Sequence, residues 1–557
     1  MLKVENLTIK FGNISVLKEV SFLLKKGEIL GVVGESGSGK SITSLSLMGL
    51  LPPQASVECG SAQISLTNGE NLNLLSLDEK RFQTIRGKHL AMIFQEPQTC
   101  LNPSMRCGKQ LLEAVLLNTR LKGAIAKKRC IELLEEMQLP NAEKVYSSYP
   151  HQLSGGQKQR VMIAMALSGN PELLIADEPT TALDVTVQKG LLLLLKSLRD
   201  KYGMGMIFIS HDLGLIKDIA DRVIVLQHGK IVEQGLVKQI FESPQNSYTK
   251  GLLACRPPLT YKPHRLLTVE DFINGSITKA EANPNNSSSS IKNILLYSAL
   301  NVITSFTTRK NLWGNPTKQF KAVDDVCLEL FEGETLGIVG ESGSGKTTLG
   351  RTLLNLIKSQ SGTITYKGIS LTRMDKECQK QFRRDVQLIF QDPYSSLNPR
   401  KTIGQAISEP LKVHGICRDK KERKTKVLDL LSRVALPPDS YYRYPHEFSG
   451  GQRQRIVIAR ALAVNPKVII CDEIVSALDV SVQAQVLNLL KDLKEQLNLT
   501  LIFISHDLAV VKYISDRILV LKNGALVETG TSDDIFNHPK TEYTKNLINS
   551  IPGLTNN

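Results

Sequence analysis

No stretch of this 557-residue chain approaches the roughly 20 consecutive apolar residues that a membrane-spanning helix needs. Its greasiest run, Leu191 to Leu195, stops at Lys196. The N-terminal MLKVENLTIK lacks the apolar core of a secretory leader, so export is not expected. The nine cysteines contain no CxxC pair and are odd in number, which argues against a disulfide framework or a zinc site. A concentrated basic arm is also missing. Lys+Arg 69 against Asp+Glu 54 gives a charge of +15, yet residues 1–257 carry 30 basic and 24 acidic side chains and the remainder 39 and 30. Charge spread in this way is weak evidence for nucleic acid and fits an anionic ligand or an anionic membrane surface as well. With 41% hydrophobic residues the chain is too apolar for general disorder, and its length implies several domains. A soluble cytosolic protein is expected.

What the chain does have is internal repetition. GVVGESGSGKS at 31–41 returns as GIVGESGSGKT at 337–347, and MIFQEPQTCLNP at 92–103 as LIFQDPYSSLNP at 388–399. YPHQLSGGQKQR at 149–160 returns as YPHEFSGGQRQR at 444–455, and IFISHDL occurs at 207–213 and 502–508. Four matched blocks in one order mean two copies of one domain. The offset drops from 306 residues at the first block to 295 or 296 at the others, so copy 1 holds about ten extra residues, expected around Thr67 to Leu77. The expected boundaries are 1–257 for the first domain, 258–292 for an Asn/Ser-rich, flexible linker containing EANPNNSSSS, and 293–557 for the second domain. In each copy, short β-branched runs such as ILGVVG and VIICD suit buried parallel strands of an α/β fold, and KKRCIELLEEMQL (127–139) and RKTKVLDLLSRVAL (423–436) have helical spacing.

Gly34, Ser36, Gly37, Ser38, Gly39, Lys40 and Ser41 belong to a GxxxxGK[ST] loop, and Gly340, Ser342, Gly343, Ser344, Gly345, Lys346 and Thr347 to its copy. Both follow an apolar run and precede a helical one, the setting in which backbone N–H groups and a helix N-terminus cradle phosphates. Lys40 and Lys346 supply charge to the phosphates, and the Ser41 and Thr347 hydroxyls suit Mg²⁺. Asp177–Glu178 and Asp472–Glu473 end apolar runs. The aspartates suit the metal, and the glutamates can act as general bases on the attacking water.

With these blocks in order, each copy resembles an ABC-type ATP-binding domain, a P-loop NTPase with a RecA-like α/β core, an antiparallel β subdomain and a helical subdomain. The resemblance implies that Gln95 and Gln391 sense Mg²⁺ and the γ-phosphate. It makes Ser154, Gly155, Gly156 and Gln157, and Ser449, Gly450, Gly451 and Gln452, the two signature loops. Asp184 and Asp479 become the D-loop aspartates, and His211 and His506 the switch histidines. Phe11 lies where the family stacks adenine; in copy 2 an insertion leaves Phe306 as the candidate and Trp313 as the fallback. The family's signature loops act across an interface, so two composite ATP sites are implied, closed by ATP and reopened by hydrolysis within one chain.

Among ABC proteins, GESGSGK, the FQ-E/D-P…LNP block, YPH-x-[LF]SGGQ, and the tails FESPQNSYTKGLL (241–253) and FNHPKTEYTKNLI (536–548) resemble the branch that imports peptides and nickel. That resemblance implies separate permease subunits docking near Gln95–Arg106 and Gln391–Arg400, a separate extracytoplasmic binding protein, and a peripheral place on the cytoplasmic face of the inner membrane. The alternative is a soluble tandem ATPase acting on ribosomes or nucleic acid. Such ribosomal factors usually have a long charged linker, whereas Pro258 to Ser305 carries four basic and three acidic residues.

Overall fold

The computed structural model describes residues 1–275 except 182, and 294–553 except 311–315, 418 and 477. They fall into two compact units. The first contains Met1–Leu253 with residues 269–275 and 552–553, and the second contains Ala254–Thr268 with the chain from 294 to Ile551.

Ten strands build the first unit: β1 (Leu2–Phe11), β2 (Ile14–Leu24), β3 (Ile29–Val33), β4 (Ala55–Ser65), β5 (Asn71–Asn73), β6 (Leu90–Ile93), β7 (Leu173–Asp177), β8 (Gly205–Ile209), β9 (Arg222–Gln227) and β10 (Lys230–Leu236). One sheet, in the order β10-β9-β3-β8-β7-β6, is parallel except for the β9–β10 edge. Every residue of β3, β6, β7 and β8 is buried, as a parallel sheet covered on both faces requires. The other sheet, β2-β1-β4-β5, is antiparallel, and its Leu2, Val4, Leu7 and Ile9 share one core with Leu30, Ile175, Ile207 and Ile224. The expected helical block is present as Cys107–Asn118, Gly123–Glu136 and the signature helix Gly155–Ala166.

The second unit repeats this plan with β11 (Leu295–Lys310), β12 (Pro316–Phe331), β13 (Thr335–Val339), β14 (Ser361–Tyr366), β15 (Ile369–Ser370), β16 (Val386–Ile389), β17 (Val468–Asp472), β18 (Thr500–Ile504), β19 (Arg517–Lys522) and β20 (Ala525–Thr531). Its sheets run β12-β11-β14-β15 and β16-β17-β18-β13-β19-β20. Two length differences separate the copies, and only the first, worth three residues, lies in the interval between Lys40 and Gln95 where copy 1 is the longer. The β4–β5 turn, Leu66 to Glu70, is longer than the Lys367–Gly368 turn between β14 and β15, and the β11–β12 hairpin is longer than β1–β2.

The stretch expected to open as a linker at Pro258 is packed on the second unit as far as Thr268. The reason lies in helix Val480–Leu497, where Asn488 is 2% exposed. Its amide accepts from Leu266 N at 3.0 Å and donates to Leu266 O at 2.9 Å, so a buried polar side chain is satisfied by this segment's backbone. Lys491 and Lys262 add bonds to His264 O at 2.6 Å and Ser515 O at 2.7 Å. The Asn/Ser-rich run lies outside the described residues.

Candidate active sites

The two candidate sites sit at the C-terminal ends of β3, β7 and β8 in one unit and of β13, β17 and β18 in the other, where an open α/β sheet offers its loops to ligands. β3 delivers the chain into the loop Gly34–Gly39, and the helix Lys40–Leu47 begins at the lysine itself. Gly34 has φ 154°, and a Cβ there would come within 2.2 Å of Leu226 O; Gly340 repeats this with φ 153° and Leu521 O. No other residue lets the strand turn so tightly into the loop. Lys40 is 6% exposed, its Nζ donating to Gly34 O at 2.8 Å and Glu35 O at 2.9 Å. Lys346 does the same to Gly340 O at 2.7 Å and Glu341 O at 2.9 Å.

The strand ends carry the carboxylates. Asp177 and Asp472 are buried. Burial pushes Asp177 up to about 6, opposed by a hydrogen bond from Ser41, reinforced by Glu178 and eased by Lys40. Burial likewise raises Asp472. Thr347 Oγ1 donates to Asp472 Oδ1 at 3.0 Å, while Asp177 Oδ1 is buried without a hydrogen-bond partner among the described residues. Two oxygens about 3.0 Å apart match adjacent positions in an octahedral shell with ligands at about 2.1 Å, so hydroxyl and carboxylate fit a Mg²⁺-like cation that also binds phosphate.

Glu178 and Glu473 adopt φ 46° and 50°, a left-handed backbone that non-glycine residues rarely hold. Each is pinned there, because Glu178 N donates to Ile209 O at 3.0 Å and Glu473 N to Ile504 O at 2.9 Å. Three groups converge on Glu178 Oε2: Gln95 Nε2 at 2.9 Å, Thr181 Oγ1 at 3.1 Å and His211 Nδ1 at 3.2 Å. In the second unit Gln391 Nε2 lies 2.8 Å and His506 Nδ1 3.5 Å from Glu473 Oε2. Burial pushes both glutamates up, but the histidine bond and charge, together with the loop lysine, outweigh it and hold them below the ordinary carboxyl value. Ionised and oriented, they suit a general base.

The glutamine, glutamate and histidine predicted for each site are therefore brought together, with the glutamine amide on the glutamate. Thr181 is a partner that sequence reasoning missed. A hydroxyl three residues after the glutamate in both copies (Thr181, Ser476) is its only signal, and Ser476 bonds the Glu473 carbonyl instead, at 2.9 Å.

The signature loops form a capping box. Gln157 N donates to Ser154 Oγ at 3.3 Å while Ser154 N donates to Gln157 Oε1 at 3.1 Å; Ser449 and Gln452 do the same at 3.4 and 3.1 Å. The serine hydroxyl accepts in this box, which leaves its own proton to donate. Asp184 and Asp479 are N-cap residues of helices Val185–Tyr202 and Val480–Leu497. Phe11 closes β1, and Phe306 takes the corresponding place in β11, each five residues after an asparagine with positive φ (Asn6, Asn301). Phe306 is 42% exposed and so open to a stacking ligand; Trp313 lies outside the described residues.

A family model for the ABC transporter matches residues 17–181 and 323–476, and one for the oligopeptide/dipeptide transporter C-terminal region matches 232–273 and 527–557. The glutathione import ATP-binding protein GsiA of Pectobacterium atrosepticum is 45% identical, and that of Escherichia coli K12 46% identical, over 99% of this chain and 89% of theirs. Among solved structures, the dimeric ATP-binding cassette MJ0796 in a post-hydrolysis state with ADP and Pi is 30% identical over 42% of this chain and 99% of its own, with a TM-score of 0.38. The two GsiA proteins and the two family models favour transport over the ribosomal or nucleic-acid alternative. Two complete P-loop sites, both family models present in each half and near-full-length relatives lead to one conclusion: the chain belongs to the ABC transporter ATP-binding family, as an ATP-hydrolysing subunit with two fused nucleotide-binding domains.

Proposed function

We propose that this chain powers an importer of peptides or a related small solute, a glutathione-like tripeptide being one candidate from the names of its relatives. The observation that carries the proposal is the presence in both units of a buried loop lysine, an ionised glutamate and a histidine–glutamine pair on that glutamate. Lys40 and Lys346 bind the β- and γ-phosphates together with the loop N–H groups, and Phe11 and Phe306 stack on adenine. Ser41, Asp177, Thr347 and Asp472, together with Gln95 and Gln391, are the residues that would hold Mg²⁺. Mg²⁺ supplies charge neutralisation on the phosphates. Glu178 and Glu473 take a proton from the attacking water, while His211 and His506 hold the glutamates and contact the γ-phosphate.

The two nucleotide-binding domains pair when ATP is bound, the signature serines Ser154 and Ser449 donating to the γ-phosphate held by the opposite domain. Hydrolysis removes those contacts and reopens the pair. Fusion in one chain makes this closure intramolecular.

Among the described residues no helix is long and apolar enough to cross a membrane, so transport relies on separate permease subunits, with this chain peripheral on the cytoplasmic face of the inner membrane. A groove of about 700 Å³ beside the second glutamine loop, lined by Tyr394, Asn398, Arg400, Glu409 and Arg460, suits a permease helix. An extracytoplasmic binding protein delivers the solute. Co-expression with the permease and binding-protein subunits tests this: the chain should co-purify with the permease, and uptake of glutathione or short peptides into vesicles should require ATP and vanish in Glu178→Gln/Glu473→Gln. Co-purification with ribosomes and no permease association would contradict it.

A further inference from the structure

The chemistry so far has used nothing from the tails that follow each domain, yet both tails reach the phosphate loop. In the first unit Glu35 N donates to Tyr248 Oη at 3.1 Å; in the second, Glu341 N donates to Tyr543 Oη at 3.3 Å. The two tyrosines stand at the same place in SYTKGLL and EYTKNLI, on helices Ser247–Ala254 and Glu542–Asn549.

The bonded N–H belongs to a particular peptide. The Gly34–Glu35 unit offers its carbonyl to Lys40 Nζ at 2.8 Å and its N–H to Tyr248, so lysine and tyrosine hold opposite ends of one peptide plane. Gly340–Glu341 is held in the same way between Lys346, at 2.7 Å, and Tyr543. A peptide next to a glycine is free to flip, and a flip here would turn the carbonyl away from the lysine that must face the phosphates.

Each tyrosine is itself fixed. Tyr248 is 2% exposed, and Tyr543 Oη also reaches Leu521 O at 3.5 Å, the carbonyl that packs against Gly340. The start of each tail is clamped by a carboxylate on the preceding strand. Glu233 accepts from Gln245 N at 2.8 Å and Asn246 N at 3.1 Å, and Glu528 accepts from Lys540 N at 2.8 Å and Thr541 N at 3.1 Å. The arrangement is the same in both units although the tails differ in most other residues.

We propose that Tyr248 and Tyr543 are positioning residues for nucleotide binding, each fixing through its hydroxyl the peptide that aims the loop lysine at the phosphates. The proposal rests on the ATPase reading of the loops and adds to it a role for the tail. A loop that must first recover its binding conformation weakens ground and transition states alike, which raises KM and leaves kcat in place.

The test is Tyr248→Phe/Tyr543→Phe, which removes two hydroxyls and keeps both rings. KM for ATP should rise about three- to tenfold, with kcat within about twofold of the unsubstituted chain and a melting temperature lowered by only about 1–4 °C. An unchanged KM overturns the proposal. So does a lowered melting temperature accompanied by a proportional fall in kcat, because that marks a role in folding alone. Hydrogen exchange on the unsubstituted, nucleotide-free chain needs no variant: the Glu35 and Glu341 amides should be protected, and exchange at the rate of an open loop contradicts the bond. If the unsubstituted chain neither binds nor hydrolyses ATP, the ATPase reading fails first and the proposal falls with it.

Discussion

At the scale of single residues, the two signature glycines of each domain have different work. A Cβ on Gly156 would come within 2.8 Å of Val187 Cγ1, and one on Gly451 within 2.2 Å of Val482 Cγ1, whereas among the described residues Gly155 and Gly450 meet nothing closer than 3.8 and 3.7 Å. The second glycine is therefore needed for packing on the D-loop helix, while the first leaves bare backbone at the helix start. Gly451→Ala should destabilise the second unit by about 1–3 kcal/mol in calorimetric unfolding, more than Gly156→Ala does the first. Gly155→Ala and Gly450→Ala should melt like the parent and lose ATPase activity. Equal melting losses at all four positions would remove this distinction. Glu178 illustrates how chemistry and strain coincide: its φ of 46° is held by Ile209 O, and three side chains converge on one of its oxygens. Glu178→Gln alone should cut turnover at its own site by roughly 10²-fold or more while ATP still binds.

At the scale of elements, the tails behave as clamped extensions of the β10 and β20 edges. Burial pushes Glu233 and Glu528 up, but bonds from tail residues dominate and hold both below the ordinary 4.5. Depressed carboxyls stabilise fully above pH 4.5 and lose that contribution as pH falls through their lowered values. Glu528→Gln should therefore melt below the parent at neutral pH, by about 1–3 kcal/mol, with the gap closing below pH 4.5. A gap that stays constant down to pH 3 would contradict the carboxylate clamp. The packed segment before Thr268 makes a separate prediction. Asn488→Ala leaves both Leu266 backbone groups without their partner, so limited proteolysis should cut within 258–266 earlier than in the parent.

These elements also show what sequence alone reveals. The loop glycines, lysines and strand-end carboxylates are legible because their chemistry depends on local spacing, and a strand–loop–helix unit fixes that spacing. The tail tyrosines are not, since Tyr248 lies 213 residues from Glu35 and Tyr543 lies 202 from Glu341. A polar, Pro-containing run such as PPLTYKPHRLL reads as linker; the buried Asn488, one amide in a long leucine-rich helix, together with Lys491 and Lys262, shows why it packs. Repetition helped most where it was imperfect. Asn6 and Asn301, turned to the same positive φ, align Phe306 with Phe11 across an insertion that obscured the correspondence.

At the scale of the whole molecule, the central claim is that one chain carries two complete ATPase sites. Both keep lysine, glutamine, glutamate, histidine and signature serine, and the replacement of Pro179 by Ile474 in the second copy leaves both carboxylates in place, which predicts two competent sites. The +15 charge is spread over both halves of a chain whose two domains bind ATP. The most direct measurement is the number of ATP molecules retained by purified Glu178→Gln/Glu473→Gln in the presence of Mg²⁺. Two per chain, with turnover reduced at least about a hundredfold, is the predicted result. One or none, or turnover at the parental rate, would contradict it.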